Sequence, residues 1–279
     1  MSSLFLPVFG AAIKHAPFRR AIIDLFGYLQ AWRSFKIKRH HLGTIETLRR
    51  GTGSALPASL FALKYFIQRG KDNAWAVAFS EAFGSLEKYL IIENKEQLVQ
   101  AVSLNKGALL LGAHYGPPIY TNILERLGFD LRTLVSEENY RALKNPRRTG
   151  ALSSAKSVSF LRDTHRLSIA GKSEKGLIRH LKGGGVVNVL LDSGTIQKTA
   201  GVAVDFLGKS TRFSYFPFKV SIKYDVPVFF CFFAPAAKGG YRLRLIRVDG
   251  FSDPEEGVSK YVSFLESQIK VNPFMWRIV

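Results

Sequence analysis

Two polar residues stand where continuous apolar runs end: His114, after Leu109-Leu110-Leu111-Gly112, and Asp192, after Val189-Leu190-Leu191. In open α/β sheets, ligands gather beyond the carboxyl ends of the strands. A histidine in such a place can take a proton from a hydroxyl or amine that attacks a carbonyl. It then needs a partner on its other nitrogen to fix the tautomer. In the segment Gly112-Ala113-His114-Tyr115-Gly116-Pro117-Pro118, the glycines allow close backbone approach. The two prolines suit the first turn of a following helix, whose dipole favours a neutral imidazole.

The elements that must position these residues follow from periodicity. Ala108 to Gly112 is apolar throughout, as a strand covered on both faces should be. Asn94 is the candidate cap of a preceding helix carrying Leu98, Val99 and Val102. A second helix carries Ile119, Ile123, Leu124 and Leu127, and Phe129 to Val135 is a further strand. A helix with Leu177, Ile178 and Leu181 ends at Gly183-Gly184-Gly185 and leads into the strand Val186 to Leu191. Val226 to Phe233 and Tyr241 to Val248 complete the strands, and Asp253-Pro254-Glu255-Glu256 opens a last helix. Phe213 to Tyr224 fits either a strand or a connecting helix. Alternating strands and helices imply a single α/β domain over residues 1–279, with a largely parallel central sheet flanked by helices. Residues 90–279 form its core, and amphipathic helices precede it.

Charge is the unusual quantity. Forty Lys plus Arg against 21 Asp plus Glu give the 279-residue chain a net charge of +19, which suits a polyanion: nucleic acid, an anionic lipid leaflet or an acidic protein. Residues 1–50 carry nine Lys or Arg against Asp24 and Glu46, interleaved with bulky apolar residues. Ile22, Phe26, Leu29 and Trp32 fall near helical spacing, as in a helix lying in a lipid interface. No nucleic-acid motif accompanies the charge, so lipid is the better partner. A second basic stretch runs from Arg141 to Lys182. The run Leu4 to Ile13 is shorter than the roughly 20 apolar residues of a spanning helix and lacks a basic region before it. The single Cys231, in an apolar run, is an inert core thiol that fits a reducing compartment.

Other motifs carry less. Leu190-Leu191-Asp192-Ser193-Gly194-Thr195 spells an aspartic-protease signature, but that chemistry needs two such aspartates and the chain has one copy. Gly171-Lys172-Ser173 and Gly208-Lys209-Ser210 lack the upstream glycine of a phosphate loop. His40, His41, His165 and His180 show no metal-ligand spacing, so no metal is expected.

Lys106 to Gly116 resembles the core motif of the bacterial lipid A biosynthesis (lauroyl/myristoyl) acyltransferases, a family that includes phosphatidylinositol mannoside acyltransferases. Leu181 to Asp192 resembles the family's second block, Val204-Asp205-Phe206-Leu207-Gly208-Lys209 its Val-Pro-Phe-Phe-Gly segment, Val226-Pro227-Val228-Phe229 its Ala-Pro-Val-Val strand, and Asn272-Pro273-Phe274-Met275-Trp276 its His-Pro…Trp ending. The resemblance spans roughly residues 80 to 279. It implies a monotopic enzyme on the cytoplasmic face of a bacterial inner membrane. Such an enzyme moves a fatty acyl chain from acyl carrier protein or acyl-CoA, as co-substrate without a further cofactor, to a lipid or glycolipid hydroxyl. The family places an acid after four residues following its histidine; here that position is Ile119. Asp192 is therefore the expected partner of His114, with Tyr115, Gly116, Arg162 and Arg166 as candidate substrate contacts. The alternatives are a member that binds acyl carrier or lipid without turnover and, from another class, a basic nucleic-acid-binding protein.

Overall fold

The computed structural model describes residues 19–37, 42–104, 106–117, 119–144, 167–170, 172, 174–192, 201–236 and 240–277. Nine strands are found among them: β1 (Leu90–Glu93), β2 (Ala108–Gly112), β3 (Leu131–Val135), β4 (Leu167–Ile169), β5 (Val186–Leu190), β6 (Gly201–Phe206), β7 (Lys209–Ser214), β8 (Val228–Pro235) and β9 (Tyr241–Val248). The helices are α1 (Arg19–Ile37), α2 (Leu42–Gly51), α3 (Ala58–Leu86), α4 (Lys95–Ser103), α5 (Tyr120–Arg126), α6 (Glu137–Lys144), α7 (Glu174–Lys182), α8 (Phe216–Tyr224) and α9 (Pro254–Val271).

Seven strands form one sheet in the order β1-β9-β8-β2-β5-β3-β4, and β6 and β7 form a separate hairpin. Strands β8, β2, β5, β3 and β4 are parallel to one another. β9 pairs antiparallel with β8, and β1 pairs parallel with β9. The sheet is thus parallel through its centre and reverses only at one edge. Every residue of β2 is buried, as its unbroken apolar sequence requires. The crossover through α5 moves from β2 outward to β3, and the one through α7 moves back from β4 to β5. Right-handed crossovers in opposite directions cover opposite faces of the sheet, which completes a single α/β domain.

Several local expectations are corrected. Asn94 precedes α4 at φ 60° with no side-chain cap; its amide instead donates to the Leu245 carbonyl, tying β1 to β9. The segment that fitted either strand or helix is divided: residues 209–214 are strand β7, and α8 begins at Phe216, with Pro217 in its first turn. Asp253 caps α9 as its sequence implies, with its carboxylate accepting from the Glu255 and Glu256 amides.

The N-terminal helix also differs from its expected face. α1 crosses α3 so closely that a Cβ on Gly70 would lie 2.0 Å from the Gly27 carbonyl oxygen. Ile23 and Ala31 are buried in that contact, and Ile22 and Phe26 pack beside them. Leu29 and Trp32, expected on the same stripe as Ile22, point outward together with Leu25 and Tyr28. Among the described residues, no helix is long and apolar enough to cross a membrane. The run Leu4 to Ile13 and most of the stretch from Arg141 to Lys182 lie outside the described residues.

Candidate active site

The register of the two central strands builds the site. β2 and β5 pair with Gly112 opposite Leu190. Two residues further along each strand direction come His114 and Asp192, side by side across a strand spacing of about 4.8 Å. The turn that carries His114 is fixed at its base: the Gly112 carbonyl accepts from the Tyr261 hydroxyl of α9 at 2.6 Å and from the Leu191 amide at 3.1 Å.

The expected pair forms. His114 Nδ1 lies 2.9 Å from Asp192 Oδ1, and the His114 backbone N–H donates to Oδ2 at 2.8 Å. A third donor, Trp276 Nε1, reaches the same Oδ2 at 3.0 Å. The Asp192 side chain is 1% exposed and that of His114 is 27% exposed. With two fixed donors on Oδ2, the carboxylate keeps Oδ1 turned toward the imidazole. An acceptor opposite Nδ1 assigns the ring proton to that nitrogen, which leaves the Nε2 lone pair as the base.

Trp276 is the site residue that sequence reasoning missed. Its tail runs antiparallel to the His114 turn, with a bridge between Tyr115 and Trp276. The Gly116 amide donates to the Met275 carbonyl at 2.8 Å, and the Arg277 amide donates to the His114 carbonyl at 2.6 Å. Residue 276 is 84 positions from Asp192, and only the tail's return across the sheet brings them together. The Asn-Pro-Phe-Met-Trp ending marked the segment, but nothing in it told of the indole N–H bond.

The other candidates have different places. Tyr115 is 6% exposed, and its hydroxyl donates to the Gln268 and Asn272 carbonyls at the end of α9, so it anchors the turn and does not face a substrate. Gly116 has φ +79°, and a Cβ there would lie 2.7 Å from Phe233 Cβ; it is a packing position. Arg162 and Arg166 lie outside the described residues. Ile119 is 1% exposed in the core, and α5 begins at Tyr120, six residues past His114. Pro117 therefore precedes the helix and is not in its first turn.

Neither nearby phenol can replace the dyad. Burial pushes both Tyr115 and Tyr120 well above the usual tyrosine range. The Tyr120 hydroxyl instead bonds the Asn188 side chain inside the sheet layer. Burial likewise pushes the Cys231 thiol up, which keeps it an unreactive core group.

A cleft of about 440 Å³ lies between α7 and α8. Leu134, Ile169, Leu177 and Val220 give it apolar walls, and the exposed Lys219 and Lys223 line its α8 side. Among the described residues, no group of three His, Cys, Asp or Glu side chains could hold a metal ion. Compared with known proteins, the chain matches no family model and no curated protein.

Proposed function

We propose that this protein is a membrane-associated acyltransferase that moves a fatty acyl group from acyl carrier protein or acyl-CoA to a hydroxyl or amine of a lipid-like acceptor. The observation that carries this reading is the His114–Asp192 pair, with the carboxylate held by three donors and, among the described residues, no hydrogen bond to Nε2. In the reaction, Nε2 takes the proton of the acceptor O–H or N–H as that atom attacks the thioester carbonyl. The tetrahedral oxyanion collapses, the C–S bond breaks, and the imidazolium returns the proton to the leaving thiolate. Asp192 orients the imidazole and steadies the imidazolium as it forms.

Three further features support the substrate class and the setting on the cytoplasmic face of a bacterial inner membrane. The apolar cleft beside α7 and α8 suits a hydrocarbon chain, with lysines placed for the anionic part of a carrier. The net charge of +19 favours an acidic carrier protein, CoA and anionic lipid alike. α1 presents Leu25, Leu29 and Trp32 outward, within a stretch of sequence rich in Lys and Arg. The motif resemblance points the same way. A second reading, acyl-carrier or lipid binding without turnover, draws on Ile119 in place of the expected acid. Asp192 answers that objection, because it supplies the missing carboxylate from another strand.

Incubation with radiolabelled acyl-CoA or acyl carrier protein and a bacterial lipid extract tests the reading. Label should move into lipid with wild type and not with His114→Ala.

A further inference from the structure

The dyad is a triad of a different kind. We infer that Trp276 is a positioning residue for acyl transfer, holding Asp192 in the orientation that fixes His114, and that a buried ionic cluster on α3 latches the tail that carries it. The inference rests on the acyltransferase reading for its rate measurement alone.

The carboxylate of Asp192 has two oxygens with separate tasks. Oδ1 faces the imidazole Nδ1, while Oδ2 is shared between the His114 amide and the Trp276 indole. With only the His114 amide on Oδ2, the carboxylate could pivot about that single bond and carry Oδ1 out of line with the ring. A second donor on Oδ2 removes that freedom, and a rigid directional donor does so at small entropic cost. The indole is itself fixed: its ring meets Phe206 of the hairpin edge-on, at 5.5 Å between centroids and 88° between planes.

The tail's backbone is held from the other side. Arg69 Nη2 donates to the Met275 carbonyl at 2.6 Å and also binds Asp72. Asp72 is fully buried and accepts from Gln68 Nε2 at 2.7 Å and from the Tyr241 hydroxyl of β9 at 2.5 Å. Arg277, next after Trp276, bonds Asn73 on the same helix. Burial and the nearby Arg69 charge bring the Arg277 guanidinium down to about 10, so it remains a cation at neutral pH. A buried ion pair contributes geometric definition more than net stability. Here that definition is spent on residues 275–277, which also supply the carbonyl and amide that grip the His114 turn.

Replacement of Trp276 by benzothienylalanine, its sulfur isostere, keeps the ring and removes only the N–H; Trp276→Phe is the simpler companion. Two readouts are taken from each: steady-state acyl transfer, and the low-field proton resonance of His114 Nδ1–H, which needs no substrate. With the isostere, kcat should fall about tenfold with KM unchanged, as loss of one hydrogen bond to a charged group implies. The Nδ1–H resonance should weaken or vanish through exchange with water. An isostere variant with wild-type kcat and an undiminished resonance would overturn the inference, because Trp276 would then only fill space, whatever Trp276→Phe does. Should no donor be turned over by wild type, the acyltransferase reading fails, and the resonance still decides the role of Trp276.

Discussion

Asp192→Asn is the most informative single change, because the carboxamide has nearly the shape of the carboxylate and a different hydrogen-bond inventory. Asp192 accepts from three N–H groups: the His114 amide at 2.8 Å, the Trp276 indole at 3.0 Å and His114 Nδ1 at 2.9 Å. An asparagine offers one accepting oxygen and two donating hydrogens. The backbone amide and the indole are obligate donors, so the amide oxygen should turn to them and its NH2 to Nδ1. That arrangement makes Nδ1 an acceptor and moves the ring proton to Nε2, where the base must be. The active tautomer is lost while the fold is kept. The equivalent change in a serine protease costs about 10⁴ in kcat by inverting the tautomer. Here a fall of about 10²–10⁴ is expected, with substrate binding little altered. Stopped-flow or discontinuous thiol release measures the rate, and histidine ¹⁵N shifts report which nitrogen is protonated. Wild-type kcat in a folded Asp192→Asn protein would show that Asp192 does not set the tautomer of His114.

Three further outcomes follow from the same geometry. Arg69→Met leaves the fully buried Asp72 without the cation hydrogen-bonded to it, keeping the Gln68 and Tyr241 donors and the more distant Arg277 charge, and should cost about 3 kcal/mol in urea unfolding. His180 is buried on α7, with Nε2 3.1 Å from the Asp130 carbonyl and 3.3 Å from that of Val186; burial lowers its pKa, so the unfolded chain binds the proton more readily. Its contribution to stability is present above the unfolded-state value of about 6.5 and is lost as pH falls below it, and His180→Leu should flatten that part of the urea-unfolding profile. Serine at Leu25, Leu29 and Trp32 together should weaken sedimentation with phosphatidylglycerol vesicles without lowering thermal stability, since these side chains project outward; unchanged sedimentation would place the lipid contact elsewhere.

How far the fold could be read in the residues depended on whether a signal was local. The run Ala108 to Gly112 could only be a strand covered on both faces, and Asp253-Pro254-Glu255-Glu256 could only open a helix. β1 escaped notice because its four residues, Leu90 to Glu93, are partly exposed and stabilised by pairing with β9, some 150 residues away. The β6–β7 hairpin escaped for a sharper reason. Its two-residue turn, Leu207-Gly208, takes φ values of 53° and 75°, the primed-turn conformation that Asn-Gly or Asp-Gly would announce. Leucine gives no such sign, and it is held there by tertiary contact: its amide donates to Glu266 of α9 at 2.5 Å.

The site divides along the same line. His114 was legible from its glycine-bounded place at a strand end, and Asp192 from ending the other buried strand. Their pairing depends on β2 and β5 being neighbours, which periodicity does not state. Tyr115 and Gly116 looked like substrate contacts because they adjoin the histidine in sequence. Backbone geometry turns them into the packing that supports it. Trp276 was invisible as a partner because its link to Asp192 exists only once the tail has crossed the His114 turn.

If His114 is the base of an acyl transfer, its removal must stop the movement of acyl groups into lipid. Transfer of radiolabelled acyl groups from acyl carrier protein or acyl-CoA into a bacterial lipid extract is compared between wild type and a folded His114→Ala protein. Labelled lipid is expected from wild type, and a rate about 10²–10⁴ lower from the variant. Equal labelling by the two proteins would contradict it.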